Sequence, residues 1–506
     1  MTKYKIALIA SMIGLQAFAQ NETDMLMYSQ QQYIGSARAL GVGGAFGAVG
    51  ADYSSSYLNP AGLGLYRRNE FHFSAAITTN NASSNFLGTT TTDNRTGFNI
   101  PSFGLVFTKV NSGIKGDATK GVVSYSFAFG HNRLNDYQRN SLSQGYNTQS
   151  KISDFYTEHA NGIIPNQLTS GSYESSFGNL GYQTYLIDPV DTIAGIYEPA
   201  WFDGVNDYRL FQTQTIRRRG AFNEYNFAGS MNISNILYLG AGLVINSVNH
   251  QYTSEFTESD PDKTVNSLNN GNAYTSSYLN TYINTSGNGI AGRFGAIVRP
   301  IDVLKLGVSV QTRSRIKMEE YYHYEAGSNI NVPNYGVLTF ETPKEYMKYT
   351  VITPARYTFS AALTLPSLGF LSADLDVTDY SKSKLVADKY LYTSANNEAQ
   401  RIFQTVYTMR VGAEIKLDEN YRLRAGYNYS TSPYAASAGF NESENTRQSY
   451  SLGWGYTDGH FFIDAAGVMT KFNETSAPYV LINGYTPSAL INNTMFNFVA
   501  TAGYRF

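Results

Sequence analysis

Alternation of apolar and polar side chains with a period of two runs through most of this chain, and no apolar stretch is long enough to be a membrane helix. The last strand shows the pattern plainly. Phe496, Phe498, Ala500, Ala502, Tyr504 and Phe506 share one face, and Asn497, Val499, Thr501, Gly503 and Arg505 share the other. Tyr407, Met409, Val411, Ala413 and Ile415 likewise oppose Thr408, Arg410, Gly412, Glu414 and Lys416. Successive strand residues point to opposite sheet faces, so such segments suit a wall with lipid outside and water inside. Only helices and closed barrels satisfy their backbones in lipid. The reading is therefore all-β: a transmembrane antiparallel β-barrel.

This pattern yields about 14 strands, at 70–79, 100–109, 120–130, 222–232, 236–249, 289–300, 303–315, 353–365, 368–380, 405–416, 421–432, 448–457, 460–471 and 495–506. Their connections have a rhythm. Ser234, Asp302, Pro366-Ser367, Asp418-Glu419-Asn420 and Asp458-Gly459 mark tight turns, while 80–99, 131–221, 250–288, 316–352, 381–404, 433–447 and 472–494 are expected as long loops. Short periplasmic turns alternating with long outside loops distinguish an outer-membrane barrel from a soluble propeller or tandem sandwich. Charge agrees: charged residues are 15% of the chain, and 41 Tyr against 2 Trp suit a membrane interface. A net charge of −2 gives no footprint for nucleic acid.

The N-terminus addresses the chain outward. Lys3 and Lys5 precede the apolar run Ile6 to Leu15, and Ala17-Phe18-Ala19 fits a small-x-small cleavage site. Residues 1–19 read as a signal peptide, 20–69 as an N-terminal hatch or plug, and 70–506 as the barrel, with 131–221 its longest extracellular loop. Localisation in a bacterial outer membrane follows, with outer-membrane lipid around the wall. There is no cysteine for disulfides or thiolate ligands. Residues 20–69 do not alternate. Their glycines miss the phosphate-loop spacing, since Phe46 stands where GxGxxG needs glycine, and they suit close packing in a confined space instead.

By parity Lys305, Arg313, Asp374, Asp376, Arg410, Glu414, Lys416, Arg422, Arg424, Asp464 and Arg505 face the lumen. A salt-bridge lattice or ligand contacts would each use them. No Gly-x-Ser-x-Gly elbow occurs, and the histidines show no triad or metal spacing, so no enzyme, cofactor or metal site is expected.

Ala51-Asp52 followed by Asn59-Pro60-Ala61-Gly62-Leu63 resembles the N-terminal hatch of the FadL/TodX (OMPP1) family of outer-membrane transport proteins, a family some of whose members are labelled hemin receptors. Leu423-Arg424-Ala425-Gly426-Tyr427 resembles a late barrel segment of that family, and terminal Tyr504 and Phe506 resemble the signal read by the barrel-assembly machinery. The resemblance implies 14 strands and passive uptake of a hydrophobic small-molecule ligand, such as long-chain fatty acids or aromatic hydrocarbons, gated by the hatch. It also implies two alternatives. One is a secretion or surface-assembly factor, with Tyr182, Tyr185, Tyr197, Trp201 and Phe202 of the long loop docking a partner protein. The other is a haem receptor, with His250 or Tyr321-Tyr322-His323-Tyr324 supplying ligands.

Overall fold

The computed structural model describes residues 21–506 apart from 33–34, 114–115, 118, 203–206, 266–273, 332–335, 389 and 441–443. The expected signal peptide lies outside the described residues. Three short helices come first: α1 (Glu22–Ser29), α2 (Ala37–Gly41) and α3 (Ser55–Leu58), followed by a 3-10 turn over Pro60–Leu65. Asn21 caps α1 by accepting from Thr23 N–H at 2.9 Å, and Asp24 returns the bond by accepting from Asn21 N–H at 3.1 Å.

Fourteen antiparallel staves close into a ring around this segment. They are β1 (Glu70–Phe86), β2 (Thr89–Val110), β3 (Val122–Asp136), β4 (Leu210–Ile233), β5 (Leu237–Ser259) and β6 (Tyr274–Ile301), then β7 (Leu304–Gln311 continuing as Arg315–Ile330) and β8 (Glu345–Ile352 continuing as Arg356–Leu365). The ring continues through β9 (Gly369–Asp379), β10 (Thr405–Lys416), β11 (Tyr421–Ser430), β12 (Arg447–Thr457), β13 (Phe461–Ser476) and β14 (Ala489–Arg505). Closure is made by β1 against β14, in register from Glu70 opposite Arg505 to Phe86 opposite Ala489. The outward face carries the apolar set read from the sequence, including Phe71, Phe73 and Ile77 on β1 and Phe496, Phe498, Tyr504 and Phe506 at the end of the chain. Among the described residues no helix is long and apolar enough to cross a membrane.

Several expected loops differ from the structure, because strands run on past the hydrocarbon: β5 and β6 extend into 250–288, β7 and β8 into 316–352, and β13 and β14 into 472–494, and each of these connections is correspondingly shorter. Residues 80–99 form no long loop: β1 and β2 run on and turn through Leu87 and Gly88, whose φ angles of 49° and 79° suit a two-residue hairpin turn. The alternation weakens there because Thr, Asn and Ser fill both faces once the wall leaves hydrocarbon. Similarly, Arg139–Asn147 extends the wall above β3 by pairing with β4, so the long connection narrows to 148–209. That connection is folded, into α4 (Ile152–Ala160), α5 (Pro165–Leu168), α6 (Phe177–Gln183) and a hairpin of Ile187–Asp191 with Ile196–Pro199.

This folded cap has a core of its own, in which Tyr156, Leu180, Tyr197, Trp201 and Phe202 pack with Phe256, Tyr324 and Tyr479 of the barrel rim. Tyr182 and Tyr185 lie partly buried against it. The aromatics expected to dock a partner are therefore consumed inside the cap: burying their ring area is what lets so long a connection fold.

The β2–β3 ladder stops at Ser102 opposite Asn132, just where the β1–β2 register is broken by a bulge between Ser74 and Ala76. Beyond that point side chains bridge the seam, with Asn99 Nδ2 donating to Asp136 Oδ2 at 3.2 Å.

Candidate functional site

The hatch motif sits against the inner wall where the wall has no side chains. Asn59 Nδ2 donates to the Gly47 carbonyl at 2.9 Å and reaches the Ala296 carbonyl of β6 at 3.4 Å, while its Oδ1 accepts from Ala61 N–H at 3.1 Å. Pro60 opens the 3-10 turn, where its missing N–H costs nothing. Ala61 packs on Tyr238 and Ile297, and Leu63 packs on Tyr53, Tyr66 and Val106. Gly62 fits beneath Ser55: a Cβ there would meet Ser55 Oγ at 2.6 Å. Wall glycines make the approach possible. A Cβ on Gly295 would stand 1.9 Å from Asn59 Oδ1, and one on Gly240 would stand 2.3 Å from the Pro60 carbonyl carbon. Opposite them, Gly412 and Gly426 of β10 and β11 receive Val42 and Gly43.

The inward charges form a lattice that reaches into the N-terminal segment. Arg410 donates to Asp376 at 2.7 and 2.9 Å and to Asp374 at 3.1 Å. Asp374 in turn accepts from the N–H groups of Phe46 and Gly47 at 3.1 and 3.0 Å. Glu414 accepts from Arg424 at 2.7 Å and from Arg38 of α2 at 3.3 Å, and Arg424 also donates to Asp464 at 2.6 Å. Lys305 Nζ donates to the Val49 carbonyl at 3.0 Å. Two expected lumen charges are placed differently. Arg313 is exposed, because the break between the halves of β7 interrupts the parity. Arg422 reaches toward the short-turn mouth and donates to the carbonyls of Asp418, Tyr421 and Glu419.

A further fully buried pair joins β4 to β6. Arg293 grips Glu224 with two bonds of 2.8 Å and also donates to Gln311 at 2.8 Å and the Ser56 carbonyl at 3.2 Å. Its signal was present: Arg293 has the parity opposite to Ile290 and Phe294, both lipid-facing. At the chain terminus Tyr504 and Phe506 point outward, and the Phe506 backbone exchanges two bonds with Asn69, of 3.0 and 3.1 Å.

Above the N-terminal segment, toward the cap, lies a cavity of about 310 Å³. Leu26, Met27, Ile402, Tyr434, Phe440 and Val480 give it an apolar side. Arg139, Arg218 and Arg447 gather at another part of its lining around one carboxylate, Glu474, which lies 3.8 Å from Arg139 and 3.3 Å from Arg218. Arg139 and Arg447 also flank the Phe472 ring, at 5.3 and 4.4 Å. Among the described residues, Arg447 Nη1 is buried with no hydrogen-bond partner. Glu22 and Glu444 line the cavity too, but among the described residues neither lies within 4.0 Å of a cationic group. Burial pushes Glu22 up to about 7. The haem candidates do not line this cavity. His250 is boxed between Tyr28 and Tyr137, and His323 stacks on Tyr282, 3.4 Å from Glu341.

Helix α1 floors this cavity, so its docking responds to pH. Asp24 is held well above the usual carboxylate range by burial and by Glu320, and Glu22 moves from its ordinary 4.5 to about 7 chiefly by burial. Both shifts favour the protonated, docked form. Docking is firm below the ordinary carboxylate value and weakens as pH rises through about 7. Amide hydrogen exchange over 22–29, corrected for intrinsic rates, is expected to be faster at about pH 8 than at about pH 5. Equal protection at both values would show that these carboxyls do not govern docking.

A closed barrel with a lumen-filling N-terminal segment and a roofed, part-apolar chamber defines an outer-membrane transport barrel. The model of the family described as outer membrane protein transport protein (OMPP1/FadL/TodX) matches residues 221–478, just over half of the chain, and the chain belongs to that family. No curated protein matches the chain. Among solved structures, it is similar to a Pseudomonas aeruginosa FadL homologue at 13% identity and a TM-score of 0.51, covering 94% of this chain and 100% of that one. It is similar also to the Pseudomonas putida toluene transporter TodX, at 12% identity and a TM-score of 0.51, covering 94% and 100%. At that identity the two structures bear on the fold alone.

Proposed function

We propose that this protein is a passive outer-membrane channel for hydrophobic compounds, with the N-terminal segment as its gate and with ligands that carry a carboxylate on an apolar body. The observation that carries this reading is the chamber above α1, where an apolar side meets three guanidiniums, two of them paired with the one carboxylate Glu474. Its 310 Å³ lies at the small end of ligand sites, near about 300 Å³. Arg447 Nη1, buried and without a hydrogen-bond partner among the described residues, is a donor that a ligand carboxylate would satisfy. Long-chain fatty acids and aromatic acids both have this chemistry. A relative of similar fold is named a toluene transporter, and the arginines here are what would favour an acid over a neutral hydrocarbon.

The test is uptake by cells carrying wild type or Arg447→Gln, using labelled fatty acids, aromatic acids and neutral aromatics. Loss of one charge-assisted hydrogen bond is expected to lower apparent affinity for the acids about tenfold and to leave the neutral compounds unchanged. An equal loss for neutral compounds would remove the carboxylate assignment. Uptake of the whole panel unchanged by deletion of the gene would remove the channel itself.

A further inference from the structure

Arg447 borders more than the chamber. Deeper in the lumen, between the N-terminal segment and strands β7 to β12, lies an inner cavity of about 60 Å³ that shares Gln30, Asn445 and Arg447 with the chamber. A second inner cavity, of about 80 Å³, also touches Arg447. Three spaces therefore meet at one guanidinium.

The charge around the 60 Å³ cavity does not close. Arg356 and Arg447 line it, with one carboxylate, Asp376. Asp376 is already occupied: it accepts from Arg410 at 2.7 and 2.9 Å and from the Thr358 hydroxyl at 2.8 Å. Arg356 donates to Gln311 Oε1 at 2.9 Å, a neutral acceptor that it shares with Arg293 at 2.8 Å. Among the described residues neither Arg356 nor Arg447 has a carboxylate within 4.0 Å. Two guanidiniums beside one small interior space are costly unless an anion comes between them. The 80 Å³ cavity differs, because Arg447 is the one charged residue in its lining and hydroxyls and amides make up most of the rest.

We infer that this inner cavity seats the ligand's head group: the carboxylate lies between Arg356 and Arg447 while the apolar body stays in the chamber. The inference rests on the reading that the ligand is a carboxylic acid, and it says where that acid's atoms go. The cavity has room for about four waters, which matches a carboxylate with the carbon beside it and nothing bulkier. Its entrance from the chamber runs past Gln30, Asn445 and Arg447. A straight chain is slim at the carbon next to the carboxylate and passes that polar neck; a branch or a ring at that carbon has to stop in it. The class admitted is therefore unbranched alkanoates and aromatic acids with a methylene spacer, and acids whose ring adjoins the carboxylate are rejected.

Calorimetric titration of the purified barrel in maltoside detergent tests this with octanoate, its branched isomer 2-propylpentanoate, and octanol. Wild type is expected to bind octanoate about tenfold more tightly than either of the others. Arg356→Gln, at a position outside the chamber lining, is expected to lower octanoate affinity about tenfold and to erase the preference over the branched isomer. Thr378→Leu fills the inner cavity without removing a charge and is expected to do the same. Retained resistance to heat unfolding on gels verifies the folded barrel in each variant. Octanoate affinity unchanged in either variant would overturn the inner seat; if Arg447→Gln still lowers it, the chamber reading stands. Wild type binding octanoate and octanol equally would remove the carboxylate reading itself, and the seat with it. Equal binding of the two isomers would overturn the restriction to slim head groups. Competition by chloride that disappears in Arg356→Gln would assign the cavity to a small inorganic anion and overturn the seat.

Discussion

Gly240→Val and Gly295→Leu are each expected to unseat the N-terminal segment and turn a closed barrel into a leaky one. A side chain on Gly240 would collide with backbone, the Pro60 carbonyl carbon at 2.3 Å and Ala61 N at 2.4 Å, so no rotamer change relieves it. A side chain on Gly295 would enter the space of Asn59 Oδ1 at 1.9 Å and approach Pro60 Cδ at 3.1 Å. Overpacking of this kind costs about 1–3 kcal/mol, which multiplies the unseated population by roughly 5- to 150-fold. Conductance in planar bilayers and entrance of a small hydrophilic dye into cells read that population. Gly467→Leu is the control, because a Cβ there meets nothing within 4 Å. Baseline conductance equal to wild type in both lumen variants would show that the Asn59–Pro60 contact does not seal the barrel.

Arg410→Met is expected to be the most destabilising single change in the lattice. Arg410 and Asp374 have no solvent exposure of their side chains, and Asp376 has 4%. Removing the guanidinium strands two buried carboxylates, at a cost of about 3–5 kcal/mol. The loss passes to the N-terminal segment, because Asp374 also holds Phe46 N–H and Gly47 N–H. The urea midpoint for barrel unfolding in detergent measures the cost. Arg410→Met combined with Asp374→Asn and Asp376→Asn is expected to recover part of it, since the stranded charges are gone. A midpoint for Arg410→Met alone that matches wild type would mean that water or mobile ions neutralise the pair.

The wall was legible because a bilayer enforces parity: wherever lipid touches a strand, as from Tyr407 to Ile415, alternate residues had to be apolar. The same parity exposed Lys305, Arg410, Glu414 and Arg424 as inward. It failed where the enforcement lapses. Beyond Ile77 the outward face of β1 turns polar while its inward face mixes Thr78, Asn80 and Ser84 with Ala82 and Phe86, so the hairpin through Leu87 and Gly88 read as loop. At Arg313 a break in β7 resets the alternation. The family itself is borne out by a match over residues 221–478, which does not include Asn59-Pro60-Ala61-Gly62-Leu63. The reason the motif fits is not local to it, because its room is made by Gly240, Gly295 and Gly307, all more than 150 residues downstream. The chamber around Arg447 was hidden for the same cause. Its walls come from α1, the residue pair Tyr434 and Phe440, and strands far apart in sequence, and only ring closure joins them.

The outward apolar set on β1 ends at Ile77, yet the strand continues to Phe86 with Thr79, Asn81, Ser83 and Asn85 turned outward. At about 3.4 Å per residue, tilted, that surplus lifts the rim roughly 20–30 Å above the hydrocarbon. The collar therefore rises through the sugar fringe of the cell surface like a snorkel. Anything that approaches along the barrel axis from the loop side meets this raised rim and the folded cap before it meets the lumen.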